Sequence, residues 1–336
     1  AEAYSNLGEI YLRLDKLEEA EACLLKAVSI DPRFALACAN LAEVVFREKD
    51  YARALELAEK ALGFDPGLAG AYTMRGKVYH KDGDIARAKS EFQKAMALDP
   101  KDEKACFNLG NCSLDEGRVD EAKALFLRAT SLNPRFGEAR ASLGYCLLLE
   151  GRADEAVREL HLALECGYET SNVYLNLSSC YLKKGQFDEA IAAAERALVL
   201  NPASSLAHNN LGIAYAQKGM IKEALAEFET ALALDPDNKE ALLNLGNTYL
   251  GLGEMERSLG FYLRVLELDP GSAAVHNNVA VIYFKTGDYR RCREHAERAE
   301  ALGLRVHPDF WKELKKRINW QNSQCGAGLY RPGFSP

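Results

Sequence analysis

The stretch from Ser205 to Asn238, SLAHNNLGIAYAQKGMIKEALAEFETALALDPDN, decides the fold. Its apolar residues recur at helical spacing in two runs. They predict a first amphipathic helix of about thirteen residues, from Leu206 to Lys218, and a second that begins at about Lys222. Gly219 lies between the runs, where a helix commonly ends in a residue of positive φ. Asp235-Pro236 closes the second run, because proline disfavours the α region for the residue before it. The stretch therefore predicts one helical hairpin.

The same 34-residue pattern recurs along most of the chain. Its prolines all fall on this period: Pro32, Pro66, Pro100, Pro134, Pro202, Pro236 and Pro270. An alanine of the second helix keeps the same period, at Ala20, Ala54, Ala88, Ala122, Ala156, Ala190 and Ala224. Nine units therefore follow one another without insertion, at 1–34, 35–68, 69–102, 103–136, 137–170, 171–204, 205–238, 239–272 and 273–306.

A 34-residue helix–turn–helix with these residues resembles the tetratricopeptide repeat (TPR) family, and the resemblance covers 1–306, about nine tenths of the chain. It implies an all-α, right-handed superhelical solenoid whose first helices line the concave side. At Gly167-Tyr168 the usual Asp-Pro is missing, so that helix should end through a left-handed glycine. Repeat drift and a local hinge both remain open as reasons for this departure.

Residues after the ninth unit predict a C-terminal capping helix at 307–320, because Phe310, Leu314 and Ile318 lie on one helical face. A cap would cover the last apolar flank of the array. The helix is also basic, so a partner-binding or membrane-binding helix remains an alternative. Residues 321–336 have no apolar periodicity and contain several Gly and Pro, which predicts a flexible tail.

Composition is that of a folded water-soluble protein, with 48% hydrophobic and 27% charged residues. A net charge of −7 argues against a nucleic-acid partner or an anionic membrane surface. No apolar run is long enough to cross a membrane. The chain begins at Ala1, already in phase with the repeat, which suggests an excerpt from which an upstream signal or anchor could have been removed.

Nine cysteines occur with no CxxC spacing. Cys112, Cys146 and Cys180 share one position of three consecutive repeats, where other repeats carry small apolar residues. This indicates reduced thiols in the core, and therefore a cytoplasmic location.

No enzyme chemistry is predicted, and no cofactor or metal. His208 and His276 occur in similar strings but lie two repeats apart, on the order of 20 Å when neighbouring helices pack 8–10 Å apart. One ion cannot bridge that distance. Gly251-Leu252-Gly253 lacks the third glycine and the preceding strand of a dinucleotide site.

The inner face of the first helices is the predicted binding site, a groove for an extended peptide. Its sixth position reads Asn6, Asn40, Met74, Asn108, Ser142, Asn176, Asn210, Asn244 and Asn278, and the late repeats add Asn209, Asn247 and Asn277. An amide offers both a donor and an acceptor to a peptide backbone. Phe107, Tyr145 and Leu149 make the middle of the groove apolar. The alternative is that asparagine is simply common at this position in the family.

Two functions remain open. The first is a non-enzymatic adaptor that holds a partner segment in its groove, with self-association possible. The second is the substrate-recruiting part of a larger enzyme, since the run of asparagines resembles the repeat arm of O-linked N-acetylglucosamine transferases. The family's lysine clamp for chaperone tails is not matched, because its first lysine position holds residues such as Ser5, Phe107 and Asn209.

Overall fold

A computed structural model describes the backbone of residues 1–327 and the side chains of residues 1–319. Nineteen helices follow one another, and these residues contain no strand. The bounds are α1 Glu2–Arg13, α2 Leu17–Ile30, α3 Ala35–Arg47, α4 Tyr51–Phe64, α5 Ala69–Lys81, α6 Ile85–Leu98, α7 Glu103–Asp115, α8 Val119–Leu132, α9 Gly137–Leu149, α10 Ala153–Glu165, α11 Ser171–Lys184, α12 Phe187–Leu200, α13 Ser205–Gln217, α14 Ile221–Leu234, α15 Lys239–Gly251, α16 Met255–Leu268, α17 Ala273–Thr286, α18 Tyr289–Ala301 and α19 Pro308–Ala327. The predicted all-helical repeat fold is confirmed.

Between the two helices of each hairpin the chain turns through one residue of positive φ. In seven repeats this residue is a glycine: Gly83, Gly117, Gly151, Gly185, Gly219, Gly253 and Gly287. Asp15 and Lys49 occupy the same position in the first two repeats, with φ of 57° and 68°. The left-handed conformation costs little for glycine but strains a residue that has a Cβ.

Lys49→Gly is therefore expected to raise the free energy of unfolding by about 0.5–1 kcal/mol. The reverse change one repeat later, Gly83→Lys, should lower it by about 1 kcal/mol. Denaturant titration of the two variants beside the parent chain tests this. Equal stability of all three chains would contradict it.

Successive hairpins are joined by a turn built on the residue before each proline. The Asp235 backbone is extended, as the proline requires, with φ −138° and ψ 95°. Its Oδ1 accepts a hydrogen bond from the Asp237 N–H at 3.2 Å, and the other aspartates and asparagines at this position do the same. At the Gly167 junction the chain turns through φ +84° instead, as predicted.

The two helices of a hairpin pack through complementary side-chain volumes. Where the eighth residue is glycine, the residue sixteen positions later is large: Gly8 with Leu24, Gly76 with Phe92, Gly110 with Phe126, Gly144 with Leu160, Gly212 with Phe228, and Gly246 with Tyr262. Where it is alanine or serine, the partner is alanine: Ala42 with Ala58, Ser178 with Ala194, and Ala280 with Ala296. A Cβ on Gly110 would lie 2.6 Å from Phe126 Cε1. Only one of the two residues can be large.

The chain comprises two compact units, Ala1–Asn176 and a second that begins at Leu177. In the first unit, small cores form where a second helix meets the next hairpin, for example around Leu24, Leu41 and Val44. In the second unit, a larger core surrounds Tyr262 and extends to Leu314 of α19.

The cysteines among the described residues are free thiols. Cys112, Cys146 and Cys180 are buried, as predicted, and so is Cys292, whereas Cys166 is half-buried. Burial raises the pKa of Cys112 to about 12 and that of Cys146 to about 11. These four thiols therefore act as small apolar side chains.

Helix α19 packs on the ninth repeat but is longer than predicted. Leu314 is buried, and the Phe310 ring lies 5.3 Å from the Phe284 ring. The helix continues to Ala327, so residues 321–327 of the predicted tail are helical. Residues 328–336 of the predicted tail lie outside the described residues. None of the helices within 1–327 has the length and hydrophobicity needed to cross a membrane.

Candidate functional site

The candidate site is the first-helix face, which we define as the second, fifth, sixth, ninth and thirteenth positions of each repeat. In the second unit, α13 and α15 contact each other directly, so their face positions lie side by side. In the first unit, α1 contacts α3, α3 contacts α5, and α5 contacts α7. First-helix residues therefore lie side by side from α1 to α7 in the first unit, and on α13 and α15 in the second.

Asparagines of the second unit bind one another and their neighbours across this face. Asn244 Nδ2 donates to Asn209 Oδ1 at 2.9 Å, and Asn209 is fully buried. Asn210 Nδ2 donates to Ser179 Oγ at 2.9 Å, and Asn278 Nδ2 donates to Tyr262 Oη at 3.2 Å. Each of the three sixth-position amides thus uses a donor within the protein. This favours a packing role for part of the asparagine run.

Helix α15 nevertheless keeps free hydrogen-bonding capacity on the face. Asn247 is exposed, and its Oδ1 accepts from Tyr262 Oη at 2.6 Å. Among the described residues, no hydrogen bond is found to Asn244 Oδ1 or from Asn247 Nδ2. The two amides are three residues apart on one helix, so they share a face. Together they offer one acceptor and one donor. Asn277, on α17, is half-buried.

Predicted face residues of the first unit divide into buried and exposed groups. Phe107 is only 7% exposed and packs against the rings of Phe126 and Phe136, with centroids 5.7 and 5.1 Å away. It is a core residue, so the structure does not place it on the surface as predicted. Tyr145 and Leu149, one turn apart on α9, are exposed and remain available.

The first-unit asparagines, Asn108 and Asn176, are less exposed than Asn247 of α15. Asn108 is half-buried, and its Nδ2 donates to the Lys104 carbonyl of its own helix at 2.8 Å. Asn176 is also half-buried. The predicted row of equivalent asparagines is therefore uneven, since neighbouring residues determine what each amide can bind.

Three early basic residues of the face, Arg13, Arg47 and Lys77, are paired with carboxylates. Glu43 accepts from Lys77 Nζ at 2.8 Å and from Arg47 Nε at 3.0 Å. Burial would raise the pKa of Glu43, but these two cations lower it below its usual value. Arg47 also lies 3.2 Å from Asp15, and Arg13 lies 2.6 Å from Glu9. The arrangement is a charge-balanced network, which differs from a cationic clamp.

His208 and His276 belong to separate hairpins, each with its own partner. His208 Nδ1 lies 2.6 Å from Glu227 Oε2, and His276 Nδ1 lies 2.9 Å from His295 Nδ1. The remaining ring nitrogen of each faces a proline carbonyl at 3.3 Å. Within the described residues, no group of three or more side chains is arranged to hold a metal.

The imidazole pair makes the ninth repeat sensitive to acid. Burial and the adjacent His276 lower the pKa of His295 below its ordinary value of 6.5. The unfolded chain therefore binds a proton more readily, so the contribution of His295 to stability is fully present above about pH 6.5 and is lost as the pH falls through the lowered pKa of the folded state. The protection factors of amides in α17 and α18, corrected for the intrinsic exchange rate at each pH, should therefore fall as the pH is lowered from about 7 to about 5.

Replacing the pair by His276→Leu/His295→Phe should remove this pH dependence from the ninth repeat. The eighth repeat carries these same residues, Leu242 and Phe261, at the equivalent positions. An unchanged pH dependence in the double variant would contradict the assignment.

Sequence reasoning missed the residues that orient the asparagines, namely Ser179 and Tyr262. Tyr262 is fully buried, and its hydroxyl forms hydrogen bonds with Asn247 and Asn278. One signal was present: other repeats carry Phe, Leu or Ala at this position, so a buried hydroxyl in one repeat indicates a polar partner.

Comparison with known families gives repeated matches along the chain. Models described as tetratricopeptide repeat match residues 1–34, 79–135, 113–174, 241–274 and 261–294. A model described as TPR repeat matches residues 180–219 and 214–253. Together these matches cover well over half of the chain. None of these matches tests the resemblance to the repeat arm of O-linked N-acetylglucosamine transferases, which stays a prediction.

Solved structures with the same fold include a chain of the APC/C hetero-tetramer Cut9–Hcn1, at 20% identity and a TM-score of 0.62. That match covers 90% of this chain but only 59% of the other, so this chain spans well under two thirds of it. The Pseudomonas aeruginosa PilF structure is 26% identical with a TM-score of 0.54, covering 61% of this chain and 94% of that one. A search of curated proteins found no match.

Proposed function

Because the chain belongs to the tetratricopeptide repeat family, whose fold is that of a protein-interaction scaffold, we propose that it is a non-enzymatic adaptor. Its partner is a protein that places an extended segment on the first-helix face. The observation that supports this most is the acceptor and donor presented together by Asn244 and Asn247.

An extended backbone presents N–H and C=O groups toward its neighbours along its length. Asn244 Oδ1 can accept from such an N–H, and Asn247 Nδ2 can donate to such a C=O. Their other amide atoms are fixed by Asn209 and Tyr262, so the two side chains lose little additional freedom on binding. The pair therefore suits a backbone irrespective of the side chains that it carries.

Side-chain selectivity comes from a separate place in the first unit. Tyr145 and Leu149 form a small exposed apolar patch on α9. Aromatic residues are frequent energetic centres of protein interfaces. We propose that this patch binds an apolar side chain of the partner.

Replacing both asparagines, as Asn244→Ala/Asn247→Ala, tests the proposal. Each hydrogen bond to a neutral group contributes about 0.5–1.5 kcal/mol, so affinity for a partner isolated with the full chain should fall roughly five- to 150-fold. The loss should depend weakly on salt, since neither group is charged. Lys222→Ala, on the exposed surface of α14, is the matched control. Equal affinity of the double variant and the parent chain would refute the proposal.

A further inference from the structure

The two helices of the ninth repeat bring a pair of imidazole rings together. His276 Nδ1 of α17 and His295 Nδ1 of α18 lie 2.9 Å apart, and the ring centroids are 5.1 Å apart. Both rings are half-buried, so solvent reaches them. The distance argument that excluded an ion between His208 and His276 does not apply to two residues of one hairpin.

His276 holds its proton on the ring nitrogen that faces away from His295. Its Nε2 lies 3.3 Å from the Pro270 carbonyl, which can only accept a hydrogen bond, so Nε2 carries the hydrogen. In the neutral ring Nδ1 is then unprotonated and presents its lone pair toward His295. Backbone carbonyls orient metal-ligating histidines in this same way.

His295 can supply a second lone pair beside the first. Among the described residues, no hydrogen bond is found to its Nε2, so its proton can lie on that nitrogen and leave Nδ1 free. Burial and the adjacent His276 lower the pKa of His295, which favours the neutral ring near pH 7. Metals bind the neutral form of imidazole.

The separation of the two nitrogens fits one kind of coordination geometry. Bonds from a metal to imidazole nitrogen are about 2.0–2.1 Å long. An ion at that distance from both Nδ1 atoms, which lie 2.9 Å apart, makes an angle of about 90° with them. Neighbouring ligands of octahedral and square-planar ions have this angle. A tetrahedral ion such as Zn²⁺ requires about 109°, and therefore nitrogens about 3.3–3.4 Å apart.

We propose that His276 Nδ1 and His295 Nδ1 together bind a divalent transition metal of the Ni²⁺ and Cu²⁺ class, with water completing the coordination sphere. Imidazole suits these ions, whereas Mg²⁺ prefers oxygen ligands. The bound ion joins α17 to α18. It therefore stabilises the ninth repeat, on which α19 packs through Phe284 and Phe310.

Titration of the full chain with nickel chloride at about pH 8, where imidazole is neutral, tests the proposal. Ni²⁺ is the probe because Cu²⁺ would oxidise the free cysteines. Protection factors of amides in α17 and α18 should rise by the factor 1 + [Ni²⁺]/Kd, which is about 100-fold at 100 times the dissociation constant. Magnesium chloride at equal concentration should have no such effect.

Two matched double variants show whether the imidazole pair is responsible. His276→Leu/His295→Phe gives the ninth repeat the residues that the eighth carries at these positions, and it should abolish the Ni²⁺ effect. His208→Leu/Glu227→Phe makes the equivalent change in the seventh repeat and should preserve it. His295→Phe alone should weaken Ni²⁺ binding at least about tenfold, because a single imidazole loses the advantage of two linked ligands.

Three results would overturn the proposal. Protection in α17 and α18 could be unchanged in millimolar Ni²⁺, or it could rise equally with Mg²⁺, which would show a general effect of salt. The Ni²⁺ effect could also persist in both the His295→Phe chain and the His276→Leu/His295→Phe chain, which would place the ion elsewhere.

Discussion

Replacing Arg75 with leucine is expected to lower the free energy of unfolding by about 3 kcal/mol, although most repeats carry leucine at this position. Arg75 lies 2.6 and 2.8 Å from the Glu91 carboxylate, which is only 5% exposed. Leucine would leave that carboxylate buried with a single cation, Lys94, at 2.8 Å. Removing one partner of a buried ion pair costs more than the pair contributes, because the remaining charge stays desolvated.

The double variant Arg75→Leu/Glu91→Leu should recover most of this loss. The next repeat carries leucines at both positions, Leu109 and Leu125, so the hairpin accepts this pair. Denaturant unfolding measures the change in the free energy of unfolding for each variant. Hydrogen exchange in α5 and α6 shows whether that change arises in the third repeat. A double variant as unstable as the single one would show that Arg75 acts through something other than Glu91.

Helix order and bounds could be predicted because the information is local. For α13 the predicted range, Leu206–Lys218, differs by one residue at each end from Ser205–Gln217. A glycine turn and an Asp-Pro turn recur every 34 residues, and each acts on its immediate neighbours. The same period identified the positions that face the core.

Availability of the face residues could not be predicted in the same way, because it depends on tertiary contacts. One hydrogen-bonding group of Asn244 is used by Asn209, which belongs to the preceding repeat and is not visible from one 34-residue unit. Phe107 is covered by Phe126 and Phe136 of its own repeat, but this contact depends on how the helices and the following connection pack. The end of α19 was missed for a different reason: residues 321–327 have no apolar periodicity, yet most of them are compatible with a helix.

Interactions between the two helices of one hairpin form an intermediate case, because both partners lie in the same unit. The pairing of Gly110 with Phe126 is an example. Phe126 is fully buried, and its ring occupies the space that a Cβ on Gly110 would need. Phe126→Ala alone should lower the free energy of unfolding by about 3–5 kcal/mol through the cavity that it leaves.

Gly110→Ala should have opposite effects in two backgrounds. In the parent chain the added Cβ displaces the Phe126 ring, at a cost of about 1–3 kcal/mol. In the Phe126→Ala chain the clash is gone, and alanine should stabilise α7 by up to about 1 kcal/mol because it is the better helix former. The second repeat, with Ala42 and Ala58, shows that this combination fits the hairpin. A double-mutant cycle on the unfolding free energies measures the coupling, and effects of the same sign in both backgrounds would show that the glycine is required for another reason.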